Sequence, residues 1–218
     1  MLERLTVGPI AENAYVILDG FCCIVVDPGA EAMRILSFLD SRGLVPTLIV
    51  ATHGHLDHTA AIPELQGAWR ARGIEVPLAA HAEDAAYFGE KGEETNRALF
   101  AAIGALGYFK AYWRPIPSPQ IFLSDGDRLP GCLYRTIHSP GHSRGSVCLY
   151  DDTASILISG DTLFRDGVGR TDGPDSDQAA LGASLRRLLA LPGRTRVFPG
   201  HGEETTIERE AGSPFISR

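Results

Sequence analysis

Thr47-Leu48-Ile49-Val50-Ala51-Thr52-His53-Gly54-His55-Leu56-Asp57-His58 is the stretch that decides how this chain is read. Its first half is a short, continuous apolar run of the kind that forms a strand buried on both faces. Its second half places three imidazoles and a carboxylate within six residues. Crowding such groups at the end of a buried strand is costly without a metal, and imidazole with carboxylate is the ligand mix that suits zinc, iron or manganese. The stretch therefore predicts a strand that hands the chain to a metal-binding loop.

Upstream, RLTVGPI, NAYVILDG and FCCIVVDPGA are apolar runs separated by turn signals, with breaks at Asp19-Gly20 and Asp27-Pro28-Gly29. They predict an antiparallel meander. Ala32, Ile35, Leu36 and Leu39 then recur at helical spacing until Gly43 and Pro46 end the helix. Downstream, Ile62, Leu65 and Trp69 predict a helix between Thr59 and Gly73, and VPLAAH a short strand. The second half repeats the theme: strands in GCLYRTIHS, GSVCLYD and SILISGD, a helix on Leu181, Leu185, Leu188 and Leu189, then the strand TRVFPGH. Sheets with apolar faces must be covered, so the economical architecture is a two-sheet core with helices outside. Between the halves, 94–113 (ETNRALFAAIGALGYFKAYW) predicts an apolar helical insertion rich in aromatics, followed by the proline-rich RPIPSP. It reads as packed on the core, with a lid or a partner surface as alternatives.

Three more candidate ligands occupy places like that of His53: His142 in SPGHSRGS, Asp161 in ISGDTLF and His201 in FPGHG, each beside glycine. Small neighbours let the backbone turn sharply and leave room for ions and substrate. His81 has no partner nearby in sequence and reads as structural. His138, four residues before His142, is placed to orient a ligand rather than to bind metal. Arg170 and Asp172 in GRTD read as a pair bracing a loop.

The 218 residues, 44% hydrophobic and 22% charged, suit one domain with a sizeable core. A formal charge of −7 argues against nucleic acid as a partner. No apolar run resembles a signal peptide or a membrane span, so a cytoplasmic location without membrane association is expected. Cys22, Cys23, Cys132 and Cys148 lack the paired spacing of a thiolate zinc site and read as buried free thiols.

THGHLDH resembles the THxHxDH motif of the metallo-β-lactamase fold superfamily, and the likeness runs along nearly the whole chain. HSPGHSRGS, GDTLFRDGVGRTD and PGHGEETTIERE look most like glyoxalase II (hydroxyacylglutathione hydrolase) and its short bacterial relatives. The resemblance implies an α/β, four-layer αββα sandwich with two divalent metal ions, zinc first and iron or manganese as alternatives. His53, His55 and His142 would hold one ion, Asp57, His58 and His201 the other, and Asp161 would bridge them. Asp57 and Asp161 would also serve catalysis by orienting the attacking oxygen. The activity implied is hydrolysis of a small-molecule thioester of the S-lactoylglutathione type. Two departures matter. The β-lactamases commonly have Cys or an altered set where Asp161 stands, which disfavours antibiotic hydrolysis. Full-length glyoxalase II also has a C-terminal helical domain that helps bind glutathione, whereas this chain ends seventeen residues after His201. Recognition of the thiol carrier would then fall to the 94–113 segment or to Arg144 and Arg165.

The closest rival is a persulfide dioxygenase with one iron on His53, His142 and Asp161. Thr162, where those enzymes more often have alanine, favours the hydrolase. A third reading is a non-catalytic, metal-stabilised module binding a protein partner through its aromatic insertion. Seven ligands rich in carboxylate and histidine speak against it, because structural zinc sites are closed four-ligand cages. The sequence leaves the oligomeric state open.

Overall fold

The computed structural model describes residues 1–19 and 22–213. Strands β1 (Leu2–Val7), β2 (Glu12–Asp19) and β3 (Cys22–Val26) pair antiparallel, as the turn signals predict. The expected break at Gly20 lies outside the described residues. Helix α1 (Ala32–Asp40) then carries the chain to β4 (Leu48–Val50), which lies parallel to β3. A single helical turn, α2 (Leu56–Thr59), and α3 (Ile62–Arg70) lead to β5 (Leu78–His81), again parallel. Helices α4 (Gly92–Ala102) and α5 (Leu106–Tyr112) precede β6 (Ile121–Leu123), completing a six-stranded sheet in the order β1 to β6.

The second sheet begins with β7 (Arg135–His138), β8 (Val147–Asp151) and β9 (Ile156–Gly160), which pair antiparallel. A small hairpin of β10 (Leu163–Phe164) and β11 (Gly167–Val168) follows. Helix α6 (Gln178–Leu189) returns the chain to β12 (Arg196–Pro199), parallel to β9, and β13 (Thr205–Thr206) and α7 (Ile207–Ala211) follow. The sheet order is β13-β12-β9-β8-β7.

Strand alternation sorts the side chains into layers. On β2, Ala14 and Val16 face Ile35, Leu39, Ile62 and Trp69 of the helices, while Tyr15 and Ile17 face the second sheet. On β8, Val147 and Leu149 meet the first sheet, whereas Cys148 and Tyr150 pack under Leu181, Leu185 and Leu188 of α6. The result is the expected αββα sandwich.

The apolar 94–113 stretch is divided by Ile103-Gly104-Ala105, where Gly104 takes a φ of +74° that ends α4. Strand β6 is a short edge with Phe122 half exposed, next to a proline-rich run that hides it from pattern reading. Cys22, Cys23 and Cys148 are buried and Cys132 half-buried, all as free thiols. Among the described residues no helix is long and apolar enough to cross a membrane.

Candidate metal centre

All seven candidate ligands meet along one edge of the sandwich. The THGHLDH loop leaves β4, Asp161 follows β9, His201 follows β12, and His142 sits in the turn between β7 and β8. The two sheets are tied together at this edge. Val147 N–H donates to the Thr52 carbonyl at 2.8 Å, Asn13 N–H to Gly200 O at 2.7 Å, and the Tyr15 hydroxyl to Pro199 O at 2.7 Å. The loops that carry ligands are therefore held by backbone bonds before any ion arrives.

Donor atoms of His53, His55 and His142 lie within 4.8 Å of one another, and so do those of Asp57, His58 and His201. Asp161 stands between the groups, with Oδ1 3.4 Å from His58 Nε2 and Oδ2 3.6 Å from His142 Nε2 and 3.8 Å from His201 Nε2. The outer nitrogens set the tautomers. His58 Nδ1 is 3.1 Å from an Asp27 carboxylate oxygen, His142 Nδ1 3.0 Å from Arg170 O, and His201 Nδ1 3.3 Å from Ile10 O. Each partner only accepts, so each Nδ1 carries a proton, and in the neutral ring each Nε2 then offers its lone pair inward. His53 follows by one more link: the Thr52 hydroxyl donates to Asp27 at 2.6 Å, which leaves it to accept from His53 Nδ1 at 3.1 Å.

Whether this pocket fits metal is answered by what its donors lack. The Nε2 atoms of His53, His55, His58 and His142, with Asp161 Oδ1, are buried and have no hydrogen-bond partner. Protons do not solve the problem at His53 and His55. Burial and the surrounding imidazoles drive His53 well below the ordinary histidine range, and burial with His142 takes His55 down to about 3. His58 goes the other way, because Asp161 and Asp57 outweigh its burial, and the same contacts hold both aspartates ionised against theirs. The ionised carboxylates thus hold a proton on His58, and on His201 despite its burial, while His53 and His55 stay neutral beside them, and this pull on positive charge is what a divalent cation in the pocket would answer.

Two bracing residues carry no motif of their own. Asp27, which sequence patterning marks only as a turn, accepts from Thr52 N–H at 2.7 Å as well as from Thr52 Oγ1 and His58. Although Asp27 lies near His53 and His58, both its oxygens are engaged, so it orients ligands rather than joining them. Asp84, fully buried, receives Gly54 N–H at 2.8 Å and Ser143 Oγ–H at 2.7 Å on one oxygen and Gly145 N–H at 2.6 Å on the other. It thereby fastens the His53–His58 loop to the His142 loop. Glu12 is also buried beside His58, 3.8 Å from Nδ1, and burial pushes its carboxyl well above the usual range. Gly200 is required by close approach: a Cβ there would stand 2.2 Å from Asp161 Oδ1 and 2.6 Å from His58 Cε1.

His81 and His138 stack on each other, with centroids 3.9 Å apart and planes at 12°. Parallel rings cannot converge their in-plane lone pairs on one ion, although Glu83 is near. His138 Nε2 donates to Arg144 O at 2.9 Å, steadying the loop that leads from His142 without touching the ligand, and His81 Nδ1 accepts from Glu83 N–H at 3.3 Å. Arg170 and Asp172 form the expected pair, two-pronged at 2.6 and 2.8 Å. Thr162 faces inward, 3.1 Å from Ser139 Oγ.

Above the donors opens a cleft of about 330 Å³. Its floor is His55, Asp57, His142, Asp161 and His201, and its wall is built mainly from α4 and α5. A wider groove of about 600 Å³ lies elsewhere, against α1 and Arg114, and is lined by none of the seven donors.

Residues 7–201 match the family model described as "Metallo-beta-lactamase superfamily". The Bacillus subtilis protein named probable metallo-hydrolase YqgX is 34% identical over 99% of this chain and 97% of its own length. The Haemophilus influenzae hydroxyacylglutathione hydrolase GloC is 31% identical over 99% and 98%. Among solved structures, TTHA1623 in a di-iron-bound form has a TM-score of 0.78 at 38% identity, covering 97% of this chain and 98% of that one. The B3 metallo-beta-lactamase BLEG-1 reaches 0.83 at 30% identity, with both chains fully covered. With the sandwich, the donor cluster and these likenesses in agreement, the chain belongs to the metallo-beta-lactamase superfamily.

Proposed function

We propose that the protein is a binuclear metal-dependent hydrolase of small thioesters. His53, His55 and His142 hold one ion, Asp57, His58 and His201 the second, and Asp161 stands between them. Zinc is the first expectation, and iron or manganese suits the same donors. The observation that carries the reading is the set of buried, partnerless Nε2 atoms gathered around Asp161. When bound, two such ions polarise a carbonyl and lower the pKa of water from 15.7 toward about 7.

The protein's own part is positioning. Asp57 and Asp161, both held ionised, face the cleft and orient the attacking water by accepting its hydrogens. The wall of α4 and α5 keeps bulk water from the reacting carbonyl. A thioester suits such a site because a thiolate, with a thiol pKa of about 8.5, departs without a strong protein acid. The likeness to GloC supports this substrate class. A mono-iron dioxygenase would need only His53, His142 and Asp161. The fixed tautomers of His58 and His201, set by Asp27 and Ile10 O, support a working second site instead.

Metal analysis of the purified protein, with thiol release from S-lactoylglutathione and simpler thioesters, tests the proposal. About two ions per chain with thiol release is the expected result. A single iron with oxygen uptake on glutathione persulfide, and no thiol release, would replace it with the dioxygenase.

A further inference from the structure

The cleft over the donors has an unusual chemical asymmetry. Its floor carries the ionised and candidate metal-ligating groups, yet apart from Arg170 and Gly173 the rest of its lining is Ile10, Leu99, Phe100, Ile103, Ala105 and Tyr108. Phe100 and Tyr108 stack at 5.5 Å and Tyr108 and Tyr112 at 4.5 Å, so the wall is a braced aromatic surface. Leu99 reaches across to the loop after Arg170, where a Cβ on Gly173 would touch it at 3.3 Å.

Charge recognition is sparse on the same surface. Among the described residues lining the cleft, Arg170 is the one arginine or lysine, and its Nε and Nη2 are turned to Asp172, whose carboxylate offsets its charge. Arg165, paired with Glu203, and Arg144, in a separate depression with Glu83, Glu94 and Asp175, do not line it. A carboxylate pushed against the apolar wall would be desolvated without a partner, at a cost of several kcal/mol.

Resting on the thioesterase reading above, we propose that the cleft is an acyl chamber for an uncharged, apolar acyl group. Biological thiol carriers are polar and charged, so the carrier stays at the open mouth while the acyl group fills the space between the wall and the ions. A volume of about 330 Å³ sits at the low end of the roughly 300–1,000 Å³ range of small-molecule sites, which suits short aliphatic or aryl acyl groups. The substrates favoured are therefore butanoyl, hexanoyl or benzoyl thioesters over hydroxyacyl or dicarboxylic ones.

The test is an acyl ladder on one thiol, using acetyl, lactoyl, butanoyl, hexanoyl, benzoyl and succinyl glutathione with the metal-loaded full chain. Transfer of a methylene from water predicts a rise in kcat/KM of about fourfold per added carbon until the chamber is full, with succinyl the poorest substrate. In parallel, calorimetry on the same protein should show hexanoate binding more tightly than acetate or lactate. Ile103→Asn and Ala105→Phe, both at half-buried positions, should flatten the ladder, the first by wetting the wall and the second by filling the space. Thiol release with no dependence on chain length, or with lactoyl best, would overturn the chamber and leave the hydrolase standing. If no thioester is cleaved, the hydrolase reading fails, and the carboxylate titrations still decide the chamber: equal binding of hexanoate and acetate would sink it.

Discussion

Replacing Asp84 with asparagine is the sharpest probe of how the site is assembled, because this residue touches neither ion nor substrate. One of its oxygens accepts from Gly54 N–H and Ser143 Oγ–H, the other from Gly145 N–H at 2.6 Å. An asparagine oxygen placed where the first stood keeps two of those bonds and turns an NH₂ toward Gly145 N–H. A buried donor left without an acceptor costs about 1–3 kcal/mol. The metal-free chain escapes that cost by letting the His142 loop relax, whereas metal binding demands the loop in place. The penalty therefore appears as lost metal affinity, about tenfold for each 1.4 kcal/mol and so roughly fivefold to a hundredfold. Competition against a chromophoric chelator measures it, with circular dichroism confirming that the variant is folded. A folded Asp84→Asn protein that binds metal within twofold of the parent would refute the idea that this carboxylate fastens the two ligand loops.

The same residue gives a pH signature. Burial pushes its carboxyl up to about 6 from 3.8, so between those values the folded chain holds a proton that the unfolded chain has released. Its contribution therefore favours the folded state as pH falls through this window and is lost as pH rises through about 6; at 1.36 kcal/mol per unit the parent should gain about 3 kcal/mol over Asp84→Asn on acidification. Urea unfolding of both proteins from pH 7 to pH 4 checks the sign, and parallel curves would contradict it. Gly200→Ala should lower stability by about 1–3 kcal/mol and cut bound metal below one ion per chain, since its methyl lands 2.2 Å from Asp161 Oδ1; full metal content would count against the close-packed donor geometry. Stripping metal should lower Tm by about 5–10 °C relative to protein with free metal at a hundred times Kd, from about 2.7 kcal/mol of linkage. A Tm unmoved by chelator would mean that the partnerless nitrogens have no ion to satisfy them.

The sandwich was legible in the sequence because continuous apolar runs broken by turn signals mark strands buried on both faces, and helical spacing marks the helices that cover them. Tyr15 and Val16 are buried on opposite sides of one sheet, and the pattern records both. The seven candidate donors stand out in the sequence for a different reason: residues such as Asp161 and His201 stand next to glycine after an apolar run, a context that has few structural uses. What stayed hidden depends on three-dimensional approach. Asp27 and Asp84 lie 25 residues from Thr52 and 59 from Ser143, and no local pattern distinguishes a bracing aspartate from one in a turn. The two-residue strands β10, β11 and β13 were missed because alternation needs more residues than they contain. Arg144 and Arg165 were natural candidates for gripping a thiol carrier, and neither lines the cleft.

The donors and the wall come from different kinds of chain. The candidate ligands follow strand ends, on loops or, for Asp57 and His58, on the single turn α2, while Leu99, Phe100, Ile103 and Tyr108 belong to one excursion between β5 and β6. Changes in that excursion can reshape what is admitted without moving a single ligand. Reactivity and selectivity are in this way held on separately replaceable parts, so exchanging the segment from Gly92 to Tyr112 with that of a relative should transplant acyl preference onto an unchanged metal centre.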